Sequence, residues 1–424
     1  MTDLVETPPA TVVQRFETAP KVFYGGTHRL VAPEQTLARV GPLMPAMGIT
    51  RIANVTGLDS IGIPVVMVCR PNSLSLSVTQ GKGLTLAAAK ASGLMEAVEI
   101  CHAERPLLPM MLDSYNGLRS TLRLTEPEAL PLCAGSLYRP DFRLLWCLGE
   151  DLFDGEPLWA PHEMIHTDYT LPLPAGSGCF VKSSNGLASG NHLLEAISHG
   201  LCEVVERDAL ALWRASEEEA RNATRLDLAT VDHAPCREVL DKYEAAHVAA
   251  AVWDMTSDIG IPAYFCAIKD QSDDPLRLLY STAGSGCHPD RGIALLRALT
   301  EAAQSRLTFI SGARDDKPRQ NYEQGRDPDI LRHEQLEMDW PGPRRSFRQA
   351  PTYQAATFNE DVSWILERLR AIGIERAAFF DFTRPEFGIP VARVVVPGLE
   401  GADHSPQYAP GARAKAQRAR EYSA

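Results

Sequence analysis

One local pattern occurs three times and constrains the fold of this chain more than any other feature. Asn54-Val55-Thr56, a short turn and Gly62-Ile63-Pro64-Val65 lead into an apolar run that ends at Cys69. Asp254-Met255-Thr256 with Gly260-Ile261-Pro262-Ala263 repeats it as far as Ile268, and Asp381-Phe382-Thr383 with Gly388-Ile389-Pro390-Val391 as far as Val396. Each copy follows a helix-like stretch: Leu37 to Met47, Arg237 to Ala250, and Val362 to Ile372. Asn, Asp and Thr side chains cap tight turns, and proline is tolerated where a strand begins. The spacing therefore predicts a repeated unit of helix, strand, turn and strand. The expected class is α/β (α+β), with internally repeated helix/β-hairpin units in mixed sheets.

Between these units the periodicity predicts three long helices, Leu86 to Glu104, His192 to Trp213 and Arg291 to Thr308. Residues 108–180 read as strands and turns, and residues 312–350 as a polar loop with a short helix. With 424 residues, 45% of them apolar, the chain can bury a sizeable core. No linker stands out, so the boundaries expected are an N-terminal extension (1–20), one intertwined α/β unit (21–403) and a polar tail (404–424). A formal charge of −12 disfavours a nucleic-acid backbone as the main partner. Nine cysteines include no CxxC pair, which argues against a disulfide framework and a zinc site. The start lacks the basic-then-apolar pattern of an export signal, and no apolar run reaches the roughly 18 residues of a membrane span. The expected compartment is the cytoplasm.

The long helices carry the chemistry. At about 100° per residue, Ser92, Glu96 and Glu99 share one side of the first, flanked by Ala89 and Ala103. On the second, Glu195, His199, Glu203 and Glu206 fall within an arc of about 80°, with Arg207 near its edge. Like charges so close repel, and a hard cation such as Mg²⁺ with phosphate oxygens would offset the repulsion. An acidic solvent face would give the same spacing. Yet both helices follow glycine-rich stretches, Gly81-Lys82-Gly83 and Ser183-Ser184-Asn185-Gly186-Leu187-Ala188-Ser189-Gly190, whose free N–H groups can cradle phosphate. Neither matches a P-loop, and there is no GxGxxG fingerprint after a strand. The third helix places Arg297, Glu301 and Gln304 on one face, as a phosphate clamp or a surface ion pair. Cys287, in the glycine stretch before it, has no general base that the sequence can place beside it.

In this order the landmarks resemble the YcaO family. They are Thr56-Gly57-Leu58-Asp59 with Gly62-Ile63-Pro64, Gly81-Lys82-Gly83, and Ser92-xxx-Glu96-xx-Glu99. Next come Ser184-Asn185-Gly186-Leu187-Ala188, Glu195 through Glu203-xx-Glu206-Arg207-Asp208, Arg297 to Arg306, and Pro397-Gly398-Leu399-Glu400. The resemblance covers about Lys21 to Glu400. It departs from the pattern at Ile100, where arginine is general, at Ala188 in place of serine, and at His199 in place of glutamine. The proline-rich carboxyl end of the azoline-forming members is also missing.

The resemblance implies a YcaO-like domain around a non-P-loop ATP cradle, with ATP and Mg²⁺ as cofactors. Carried over by position, Glu96, Glu99, Glu203 and Glu206 would bind Mg²⁺. Lys82, Ser92, Asn185, Glu195, His199, Arg207 and Arg297 would contact or orient ATP, with Arg297, Glu96 and Glu206 as the catalytic residues. The activity implied is phosphorylation of a backbone amide oxygen in a peptide or protein. Likeness to stand-alone members paired with TfuA-like proteins points to a thioamide product from an external sulfur donor. The alternatives are an azoline-forming cyclodehydratase and a non-catalytic nucleotide-binding scaffold. The partners implied are a peptide or protein substrate, a TfuA-like protein, a separate peptide-recognition protein and a second copy of the chain, with no nucleic acid and no membrane.

Overall fold

The computed structural model describes residues 12–174, 176–271, 281–316, 319–320, 328–401, 403, 405 and 407–421. Residues 1–11 of the expected extension lie outside that range, as do 402, 404, 406 and 422–424 at the carboxyl end. In chain order, α1 (Pro33–Val40) precedes β1 (Arg51–Asn54), β2 (Val65–Cys69), β3 (Val78–Lys82) and α2 (Leu86–Ala103). Then come β4 (Met110–Ser114), β5 (Arg143–Asp151), β6 (Pro157–Pro161), β7 (Leu187–Ser189) and α3 (Leu193–Ala215). A second set follows: α4 (Ala234–Ala245), β8 (Val248–Asp254), β9 (Ala263–Asp270), β10 (Thr282–Cys287) and α5 (Arg291–Ser311). Helix α6 (Phe358–Ala371), β11 (Ala378–Asp381), β12 (Val391–Val395) and α7 (Ala412–Glu421) follow, and shorter elements lie between these.

All three repeated turns form, and by the same bonds. Asn54, Asp254 and Asp381 each accept, through Oδ1, the N–H two residues on, from Thr56, Thr256 and Thr383 at 3.1, 3.0 and 2.8 Å. Gly62, Gly260 and Gly388 take φ of 74°, 74° and 61°, a left-handed backbone that a β-carbon would strain. Each following proline gives up a donor but keeps its carbonyl. Pro64, Pro262 and Pro390 accept from Gly83, His288 and Gly190 at 3.2, 3.2 and 3.0 Å.

Those three acceptances expose a larger unit than the sequence pattern predicted. Each hairpin gains a third antiparallel strand: β3 beside β2, β10 beside β9, and β7 beside β12. Each third strand runs into a long helix. The caps are equivalent too: Thr85 Oγ1, Asp290 Oδ1 and His192 Nδ1 accept the first free helix N–H groups. The third unit is assembled from distant chain segments, since β7 and α3 precede α6 and its hairpin. Its sheet is widened by β5, which pairs β11, and by β4 and β6 on either side of β5.

Apolar burial follows the units. Helix α3 packs with α6 through Leu194, Ile197, Leu201, Val362, Ile365 and Leu369. Helix α2 packs through Leu94 and Val98 with Trp146 and Val391, and α5 packs with α4 through Leu295, Leu299 and Val239. The helix expected over Arg237 to Ala250 stops at Ala245 instead. His247 turns the chain at φ 55°, and the following residues are already strand β8. The carboxyl end is not simply a polar tail, because α7 lies against α3, its first turn held by Glu400.

Candidate functional site

The first helical carboxylates come to one place because the three units are equivalent. Counted from the caps Thr85, His192 and Asp290, one shared position holds Ser92, His199 and Arg297. A turn further on stand Glu96, Glu203 and Glu301, then Glu99, Glu206 and Gln304. All nine side chains line a single cavity of about 480 Å³ between α2, α3 and α5. Close approach of helix to strand makes this possible. A β-carbon on Gly81 would meet the Ala89 carbonyl oxygen and the Gly93 nitrogen, each at 2.1 Å, so glycine lets α2 seat on β3.

Neighbouring units hold the carboxylates in position. Ser189 donates to Glu99 Oε1 through both its N–H (2.8 Å) and its hydroxyl (2.7 Å). Ser285 donates its hydroxyl to Glu206 Oε1 at 2.7 Å and accepts from Arg207 at 3.2 Å. Lys82 Nζ lies 2.6 Å from Glu301 Oε2, and Arg29 lies 3.6 Å from Glu195. Arg207 stands 3.4 Å from Glu206 and 4.0 Å from Glu203. The Arg297 guanidinium faces His199 Nδ1 at 3.4 Å.

Charge in the cavity is unevenly compensated. Burial pushes the Glu96 and Glu203 carboxyls up to about 7, with Arg314 and Arg207 opposing the rise, respectively. Burial, reinforced by Glu96 and Glu203 against the bonds from Ser189, pushes Glu99 up to about 8. Burial would raise Glu301 as well, but Lys82, Arg207 and Arg297 hold it down to about 2. Burial and Arg297 hold the His199 imidazole well below its usual range, which keeps it neutral.

Half-buried carboxylates pushed toward neutrality form an all-oxygen donor set, which fits Mg²⁺. The set is wide. Among the described residues, three potential ligand atoms lie within 4.8 Å of one another only at Glu218, His333 and Glu337, outside the cavity. Spread carboxylates suit Mg²⁺, which usually takes one or two of them and completes its shell with phosphate oxygens and water.

Of the residues selected from sequence, Lys82, Ser92, Glu96, Glu99, Glu195, His199, Glu203, Glu206, Arg207 and Arg297 all line the cavity. Asn185 does not, although its neighbour Ser184 does. Ile100 and Ala188, two of the three departures from the family pattern, are 5% and 0% exposed and pack away from the cavity. Cys287 is fully buried and its thiol is pushed well up by burial and by Cys202, the opposite of an activated nucleophile. Arg306 turns away from the cavity, to Asp59 at 2.9 Å and Asp270 at 3.0 Å, tying α5 to the first hairpin. Sequence reasoning left Glu301, Gln80, Ser189, Ser285, Arg29 and Arg314 out of the site. For Glu301 a signal existed in its spacing from the helix start, shared with Glu96 and Glu203.

A family model described as YcaO cyclodehydratase, ATP- and Mg²⁺-binding, matches residues 80–400. The chain is 39% identical over 391 residues to a protein of Rhizobium leguminosarum bv. trifolii described as an uncharacterized protein in the tfuA 3′ region, covering 90% of each. It is 36% identical over 382 residues to an uncharacterized protein of Methanothermobacter thermautotrophicus, covering 87% of this chain and 94% of that one. Among solved structures, one described as a heterocyclase in complex with substrate and cofactor superposes with a TM-score of 0.74 at 24% identity. That match covers 91% of this chain and 54% of the other, so this chain spans about half its length. YcaO from Methanopyrus kandleri bound with AMPPCP and Mg²⁺ superposes with a TM-score of 0.70 at 22% identity, covering 90% and 95%. At these identities the likeness establishes the fold.

Proposed function

This chain belongs to the YcaO family, described as ATP- and Mg²⁺-binding, and on that premise we propose that it phosphorylates a backbone amide oxygen of a peptide or protein and delivers a thioamide. The observation that carries the reading is the convergence of six glutamates in one cavity, three of them raised toward neutrality by desolvation. Glu96, Glu99, Glu203 and Glu206 would hold Mg²⁺. Bound there with ATP, the ion would neutralise the triphosphate and the charge that grows on the transferred phosphoryl group.

The residues of the chain act around that centre. Arg297, with its guanidinium set against a neutral His199, would meet the charge on the transferred group. Ser189 and Ser285 hold Glu99 and Glu206 by bonds to one carboxylate oxygen each, Oε1. Lys82, Ser92, Glu195 and Arg207, which line the cavity, would contact or orient the nucleotide. An amide oxygen is a poor leaving group, and its conversion to phosphate removes that obstacle. Hydrosulfide adds to the amide carbon, the oxygen departs with the phosphoryl group as inorganic phosphate, and the sulfur's proton leaves with it. Oxygen is thus exchanged for sulfur at the cost of one ATP.

The thioamide product rests on the likeness to the protein from the tfuA 3′ region, which also supports a TfuA-like partner. A separate peptide-recognition protein, a second copy of the chain, a catalytic unit over 21–403 and a cytoplasmic setting belong to the same reading. Among the described residues no helix is long and apolar enough to cross a membrane. Azoline formation is the second reading, favoured by the cyclodehydratase description of the family model. Incubation with ATP, Mg²⁺, sulfide and a candidate substrate peptide separates them. Replacement of oxygen by sulfur in the product mass supports the thioamide, and loss of one water supports the azoline. Labelled amide oxygen recovered in phosphate is expected for both, and its absence rejects amide phosphorylation.

A further inference from the structure

A second groove, of about 430 Å³, shares no residue with the cavity and is lined from α6 and from the chain around Phe16. Along α6, Glu360, Trp364 and Glu367 follow at i, i+4 and i+7, so one helix face carries an indole between two carboxylates. Tyr353 lies parallel to Trp364, with ring centroids 4.7 Å apart and planes 2° apart, and both rings are half-buried. Glu360 Oε2 accepts the Thr357 hydroxyl at 2.9 Å and the N–H groups of Ala356 and Thr357 at 2.9 and 3.0 Å, which holds the carboxyl below its usual range. Burial raises the Tyr353 hydroxyl, and Glu360, Asp361 and Glu367 raise it further, so the field over the rings is negative. No cation answers it. Among the described residues no Lys, Arg or His lines the groove. The cations next to it in sequence are engaged elsewhere: Lys21 with Asp361 at 2.6 Å, Arg15 with Glu150 at 3.5 Å, Arg368 with the Ile259 carbonyl at 2.6 Å, and Arg370 over the Phe153 ring at 4.8 Å. The exposed Glu367 carboxylate has no hydrogen-bond or ion-pair partner among the described residues.

We propose that this groove binds a basic segment of a polypeptide, an arginine side chain lying on the Tyr353–Trp364 platform between Glu360 and Glu367. A guanidinium is planar, stacks on aromatic faces and donates to carboxylates at its edge, so it answers the rings and the charge together. The two carboxylates stand about 10 Å apart along the helix axis, which leaves room for a second cationic side chain. The course of the chain favours a polypeptide over a small free cation. No more than about 25 Å of extended chain separates Thr18, in the groove, from Gly25, in the wall of the cavity. That stretch is fixed to the start of α6, where Phe358 donates to the Ala19 carbonyl at 2.9 Å and Lys21 to the Ala356 carbonyl at 3.0 Å. One extended peptide of about eight residues can therefore occupy groove and cavity at once. Because the two share no residue, binding in the groove does not depend on amide activation.

The test uses acetyl-Arg-Gly-Gly-Arg amide as probe on the full chain, with acetyl-Glu-Gly-Gly-Glu amide and agmatine, a free guanidinium compound, beside it. Calorimetry measures affinity, and the Trp364 indole N–H signal in NMR, assigned through Trp364→Phe, reports the place of binding. The arginine peptide should bind about ten-fold or more tighter than the glutamate peptide and move that signal. Glu367→Gln should weaken it about three-fold and Trp364→Leu about five-fold, with AMPPCP affinity within about two-fold of wild type in both. Glu367 is exposed, so Glu367→Gln keeps the test decisive even if Trp364→Leu fails to fold. Equal affinity for the two peptides, an unmoved Trp364 signal, or undiminished binding by Glu367→Gln overturns the proposal. Agmatine bound as tightly as the arginine peptide also overturns it, by assigning the groove to a small cation. A dimer in sedimentation that Glu367→Gln dissociates overturns it too, by assigning the groove to a second copy of the chain.

Discussion

At the residue scale the governing fact is that Glu96, Glu99 and Glu203 are half-buried in the cavity wall with less positive charge than they need. Their ordinary value of 4.5 is raised to about 7, 8 and 7. Below 4.5 folded and unfolded chains both hold these protons, and the carboxyls cost nothing. Between 4.5 and about 8 the unfolded chain has released protons that the folded one still keeps. Stability of the metal-free protein should therefore fall as pH rises through that window. Thermal melts at pH 5, 6.5 and 8 should show the decline, and Mg²⁺ with AMPPCP should raise the midpoint most at pH 8, where protons compete least of the three. A flat profile would mean that the carboxylates are already compensated. Glu301, held down to about 2, adds no slope in this window. Glu99→Gln keeps the acceptor for both Ser189 bonds while removing a repelling charge. It should stabilise the metal-free protein at pH 8 by about 1–3 kcal/mol and weaken Mg²⁺-dependent nucleotide binding at least ten-fold. Urea titration and calorimetry read the two opposite signs.

At the scale of elements, the helices seat on their strands through glycine. Gly81→Ala would drive a β-carbon into backbone atoms of α2 that cannot swing aside, and should cost about 3 kcal/mol or more. Gly57→Ala meets nothing within 4 Å and should stay within about 0.5 kcal/mol. Denaturant titration of both variants separates close packing from a general intolerance of change. The hairpins were legible in sequence because their turns are local: Asn54, Asp254 and Asp381 bond only two residues ahead. The long helices were legible for the same reason, their acidic arcs being set by α-helical geometry. The third strands were not. Whether Leu187–Ser189 pairs with Val391–Arg393 depends on residues about two hundred positions away, and β7 is too short to announce itself. The site was legible where charge repeats along a helix and obscure where a strand supplies the partner. Gln80, Ser189 and Ser285 come from strands, and single polar residues in short strands carry no period.

At the scale of the whole molecule, the discontinuous third unit makes the ends of the chain part of the centre. Helix α7 reaches α3 through Arg413, which donates to both oxygens of fully buried Asp208 at 2.9 and 3.0 Å. Asp208 is two residues beyond Glu206 and also accepts the Glu400 N–H at 2.9 Å. Loss of Arg413 leaves a buried carboxylate without its cation. Arg413→Ala should therefore lower the unfolding free energy by about 3–5 kcal/mol, and pairing it with Asp208→Asn should restore part of that loss. An unchanged urea midpoint for the single variant would show that α7 is dispensable.

The account stands on one arrangement, glutamates of α2 and α3 sharing the metal ions of a bound nucleotide. A crystal grown with Mn²⁺ and AMPPCP, with anomalous data collected at the manganese edge, tests it directly. Manganese peaks in contact with carboxylate oxygens of Glu96 or Glu99 and of Glu203 or Glu206, beside the triphosphate, are the predicted result. Nucleotide bound outside this cavity, or a cavity holding nucleotide with no manganese on these four side chains, would contradict it.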